Sequence, residues 1–69
     1  MARHYHLELE QEDDGRWIAE VMELPGVMAY GETQDAAVKA VTAIALRALA
    51  DQLEAEDTAP TSLVFERSA

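Results

Sequence analysis

No cysteine occurs among these 69 residues. That excludes a disulfide framework and a thiolate zinc site, the usual staples of so small a domain. Basic residues are scarce, five against 14 acids, for a net charge of −9. Such a field repels phosphate, so nucleic acid and anionic membrane are poor partners and a basic protein a good one. No apolar run approaches the about 18 residues of a membrane span, and Met1 to His6 lacks the apolar segment of a secretory leader. The chain is therefore expected in the cytoplasm. Aromatics are also few, with one Trp, two Tyr and one Phe. Only three Gly and two Pro occur, so the position of each is informative.

What is present is apolar enough to fold, since 49% hydrophobic content argues against disorder. The length allows one domain, expected over residues 1–69. A chain this short buries only about 60% of its unfolded surface, so its core barely offsets the cost of ordering it. With disulfide and thiolate staples gone, self-association into a dimer or tetramer is the remaining support.

The chain is organised around Leu24 to Glu54. Pro25 presets φ and Gly26 tolerates positive φ, so Leu24-Pro25-Gly26 reads as a type II turn. Val27 to Tyr30 is too short for a helix and reads as a strand. Gly31 permits a sharp exit, and Thr33 is placed to cap a helix from about Gln34 to Glu54, with Asp35 in its first turn. Ala37, Val41, Ile44, Ala45 and Ala48 form the helix's apolar stripe, flanked by Val38 and Leu49. Leu46 and Leu53 lie beyond that stripe. Before this unit, Tyr5, Leu7 and Leu9 alternate with His4, His6, Glu8 and Glu10, a half-buried strand. Asp14-Gly15 marks a hairpin, and Trp17 to Met22 returns with Trp17, Ala19 and Val21 facing inward. That leaves Ile18 and Met22 on the outer face, joined by Met28 or Val27 from the third strand; Ile18, Met22, Met28, Leu46 and Leu53 are the expected oligomer contacts. After a polar connection, Glu54 to Pro60, a last strand runs from Thr61 to Arg67. It joins a sheet edge or reaches a neighbouring subunit. The predicted order is β-β-β-α-β, an α+β fold with an antiparallel meander and the helix across one face.

No pattern compels catalysis. His4-x-His6-x-Glu8 puts three ligand types on one strand face, yet a closed site needs a third or fourth convergent group that is not evident. The residues are expected to form a polar, solvated face, with no metal and no cofactor. Two-metal hydrolysis would need converging carboxylates, whereas Glu12, Asp13 and Asp14 crowd a hairpin tip and Glu23, Glu32 and Asp35 sit at other turns. There is no nucleophilic triad and no phosphate-cradling glycine loop.

The ordered set Asp14-Gly15-x-Trp17-Ile18-Ala19-Glu20-Val21, Glu23-Leu24-Pro25-Gly26-Val27 and Gly31-Glu32-Thr33-x-x-Ala36-Ala37 resembles the HicB antitoxin family. Ala36 stands where that family usually has an acidic residue. The resemblance implies a partial ribonuclease-H-like fold, without catalysis, that forms homo-oligomers. It also implies a partner, a small basic HicA-type toxin that cleaves messenger RNA. Gly15, Trp17, Leu24, Pro25, Gly26, Gly31, Thr33 and Ala37 are then the structural motif. The chain is expected to be a short stand-alone member without the family's carboxy-terminal DNA-binding domain, so operator binding is not implied. The groups expected to meet a basic partner are Glu8, Glu10 and Glu20, then Glu12, Asp13 and Asp14. The alternative is a stand-alone oligomeric domain of unknown ligand with no toxin partner.

Overall fold

The computed structural model describes residues 2–57 and 59–67. Thr58, within the expected polar connection, and Met1, Ser68 and Ala69, at the ends of the expected domain, lie outside the described residues. The elements are β1 (Ala2–Gln11), β2 (Trp17–Val21), β3 (Met28–Gly31), α1 (Gln34–Ala55) and β4 (Ser62–Arg67). They make one mixed sheet of order β3-β2-β1-β4, with the helix against one face. The first three strands form the antiparallel meander, and β4 returns parallel to β1, Ala2 beside Ser62 and Leu7 beside Arg67. The last strand therefore takes an edge of its own chain's sheet. A parallel partner requires a long crossover, which α1 supplies.

Both predicted turns form. Gly15 has φ 92°, and its N–H donates to the Glu12 carbonyl at 2.9 Å inside the five-residue hairpin loop. Gly26 has φ 84°, and the Val27 N–H donates to the Leu24 carbonyl at 3.0 Å, as a type II turn requires. Strand limits differ from those read in the sequence. β1 begins at Ala2 rather than Tyr5, because pairing with β4 extends its ladder. β2 stops at Val21, and β3 is displaced by one residue to Met28–Gly31. Val27 is buried at the turn and Met28 points outward.

Gly31 serves a different purpose from the one expected. Its φ is not positive; instead the first turn of α1 lies directly upon it. A β-carbon there would sit 2.7 Å from the Ala36 carbonyl carbon and 2.8 Å from the Ala37 Cα. Thr33 caps as predicted, its hydroxyl accepting the Ala36 N–H at 3.0 Å and its carbonyl the Ala37 N–H at 3.0 Å.

The core lies between helix and sheet. Leu7 and Val21 from the sheet and Val41 and Leu49 from the helix are its largest fully buried side chains. Each contributes about 1.5–3 kcal/mol of burial. Leu49, predicted to flank the stripe, is central to it, while Ile44 and Ala48 are only half-buried. Trp17 faces inward as expected and packs against the core, but is only half-buried at its margin. Tyr5 stacks on Phe65 with ring centroids 5.4 Å apart, carrying the core to β4.

Candidate partner-binding site

The sheet has one face under α1 and one uncovered. Period-two alternation assigns the uncovered face His4, His6, Glu8 and Glu10 from β1, Ile18 and Glu20 from β2, Met28 and Tyr30 from β3, and Val64 and Glu66 from β4. The register sets Glu8 opposite Glu20 and Glu10 opposite Ile18. On the next ladder, Glu20 faces Met28 and Ile18 faces Tyr30. A depression of about 220 Å³ opens between these strands, lined by Glu8, Leu9, Glu10, Ile18 and Glu20. It has an apolar element within a ring of three carboxylates. Beside it, Met28 and Tyr30 are 43% and 49% exposed, the largest apolar exposure on this face.

Like charges directly opposite across a ladder destabilise a sheet. Glu8 and Glu20 are such a pair, and neither appears in a side-chain hydrogen bond or ion pair among the described residues. Five acids elsewhere, Asp14, Glu23, Asp35, Glu56 and Glu66, pair with an arginine or a histidine. Asp14 accepts the Arg16 backbone N–H at 3.0 Å and its side-chain Nε–H at 2.8 Å, which hold its carboxyl below the usual carboxylate range. That carboxylate thus closes its own turn while remaining exposed. Arg16 also lies over Tyr30, 4.6 Å from the ring centroid, and so borders the apolar side of the face. Glu12 is half-buried and builds the hairpin loop through its backbone; Asp13 is exposed at the tip. Glu8, Glu10 and Glu20 are brought together as expected, and Glu12, Asp13 and Asp14 stand apart from them at the hairpin tip.

At the other end of the face, Glu23 clamps His6. One carboxylate oxygen accepts the His6 backbone N–H at 2.7 Å, and the other lies 2.5 Å from the ring Nδ1. The side-chain hydrogen bond, then the charge attraction, raises the His6 pKa above its ordinary value. The same side-chain bond, then the one from the His6 backbone N–H, lowers that of Glu23. His4 faces a different carboxylate, Glu66 at 3.4 Å. The two histidines are thus turned to separate partners. No group of three or more His, Asp or Glu among the described residues is arranged to hold a metal ion.

The expected oligomer contacts occupy two sides of the molecule. Ile18 and Met28 belong to the uncovered sheet face, joined at its margin by Met22, which is 47% exposed. Leu46, 48% exposed, lies on α1 away from the sheet, and Leu53 is half-buried near the helix end. Sequence reasoning missed Tyr30 as part of this face, and the pairings of His6 with Glu23 and of His4 with Glu66. For Tyr30 the signal was available, because it alternates with Met28 across Ala29. The His6–Glu23 contact spans 17 positions and leaves no periodic trace.

No helix among the described residues is long and apolar enough to cross a membrane. Comparison of the chain with protein-family models, with curated proteins and with solved structures finds no match.

Proposed function

We propose that this domain is a HicB-like antitoxin module of partial ribonuclease-H-like fold, acting in the cytoplasm, that covers a small basic HicA-type toxin with its uncovered sheet face. The observation carrying the reading is the opposed, unneutralised Glu8 and Glu20 with Glu10 around Ile18, on a chain of net charge −9. The fold bears the repulsion of this pair, and a cationic partner relieves it. Ile18, Met28 and Tyr30 supply the apolar centre that a rim of charge surrounds in a specific interface. In this reading the domain neutralises by masking an RNA-binding surface and carries out no chemistry of its own. The ordered motif from Asp14 to Ala37 supports the same assignment.

The test is to look for a small basic protein encoded beside this one and to co-express the two. A co-purifying complex and relief of growth arrest are expected, and charge reversal at Glu8, Glu10 and Glu20 is expected to abolish both. With both proteins soluble, no complex and no rescue would refute the reading and leave the stand-alone oligomer.

A further inference from the structure

The two edges of the sheet are built differently. At one, β3 has only four residues and stands between the Pro25-Gly26 turn and Gly31, a short edge of the kind that resists further pairing. At the other, β4 runs six residues, Ser62-Leu63-Val64-Phe65-Glu66-Arg67, without proline, glycine or lysine. No strand lies beyond it among the described residues. An open edge of this kind presents unpaired N–H and C=O groups that recruit another strand. Its side chains Leu63, Val64 and Phe65 are only half-buried.

We propose that β4 pairs antiparallel with β4 of a second copy about a two-fold axis at Val64, joining two sheets into one of eight strands. The register follows from the residues. An axis perpendicular to the sheet keeps both helices on one side and requires paired residues to share a face. Centred on Val64, it sets Leu63 opposite the partner's Phe65 and Ser62 opposite the partner's Glu66, with Val64 against its counterpart. Apolar meets apolar, and no like charges oppose one another. Centring on Glu66 would oppose two carboxylates, and centring on Phe65 would set Leu63 against the partner's Arg67. The seam also suits an acidic chain, because Glu66 and Arg67 cancel within β4 while the rest of the chain carries the net −9. A second copy thus meets its twin where the field is weakest, covers the half-buried Leu63 and Phe65, and removes the open edge. Pairing in the plane of the sheet leaves the carboxylate face of both copies free.

The chain's lack of cysteine makes the test clean. Facing residues of an antiparallel pair lie about 4.5–5.5 Å apart at Cα, within disulfide reach. Val64→Cys is therefore expected to form a covalent dimer on mild oxidation, whereas Ile18→Cys on the sheet face and Leu46→Cys on the helix are not. Light scattering at micromolar concentration is expected to give twice the 7.6 kDa chain mass for the unmodified protein and the single-chain mass for Val64→Lys. Mixing Val64→Lys with Val64→Glu is expected to restore the doubled mass, which separates a lost contact from a lost fold. Should Val64→Lys fail to fold, the cysteine cross-link still decides. A single-chain mass for the unmodified protein, or a dimer that Val64→Cys does not cross-link, would overturn the proposal.

Discussion

Gly31 shows how little a residue's type alone discloses about why it is there. A glycine before a helix reads as a conformational release, yet here it is a clearance, since the α1 backbone occupies the place of a β-carbon. Gly31→Ala must push the helix off the strand and is expected to cost about 1–3 kcal/mol, the usual penalty of overpacking. Gly26 is the opposite case. A β-carbon there meets open space, and only its φ of 84° constrains it. Gly26→Val is expected to destabilise by strain alone, on the order of 1–3 kcal/mol. Urea unfolding measures both, and replacement by D-alanine separates them. It fits the positive φ at Gly26 and is expected to be tolerated there. Surface-sized effects for both L-variants would refute this account of the turn and the helix packing. The conformational demand at Gly26 was legible because Pro-Gly carries its own local geometry. The clearance at Gly31 was not, because it depends on where a helix several residues later comes to rest.

Elements were legible wherever periodicity or capping chemistry acts locally. The Tyr5-Leu7-Leu9 alternation, the Asp14-Gly15 hairpin and the Thr33 cap all predict what is observed. Thr33→Ala is expected to cost about 1 kcal/mol, read from the same unfolding curves. Arg3 to Glu56, at 3.2 and 2.7 Å, and Arg67 to Asp35, at 2.8 Å, join the sheet to the two ends of α1. Neither contact was foreseen, and as solvent-exposed pairs they add little to stability. The β2–β3 connection is held instead by Glu23 on His6, which gives it a pH dependence. His6 has a raised folded pKa, so its contribution is complete below the ordinary imidazole value and fades as pH rises through the folded value. Glu23 has a lowered one, so its contribution is complete above the ordinary carboxylate value and is lost as pH falls through its folded value. The clamp is complete between the two ordinary values. Glu23→Gln is expected to be less stable than the parent in that window, with the gap closing on both sides. A gap that did not vary with pH would sink the ion-pair account.

For the whole molecule the governing quantity is the acidic excess and how unevenly it is engaged. Three of the five basic side chains, Arg3, Arg16 and Arg67, are paired with acids, while Glu8 and Glu20 oppose each other. Association with a basic partner is therefore expected to slow as salt shortens the screening length from about 10 Å at 0.1 M to about 3 Å at 1 M. Stopped-flow rates across that range test it, and salt-insensitive association would refute the electrostatic mechanism. The parallel seam of β1 and β4 has a consequence for synthesis. Its partners lie sixty positions apart, so β1 waits with one side bare while the intervening chain emerges from the ribosome. Any arrest before residue 62 leaves that bare strand as the most adhesive part of the nascent protein. Fragments ending there are expected to be captured by chaperones or to coalesce, whereas chains carrying residues 62–67 are spared.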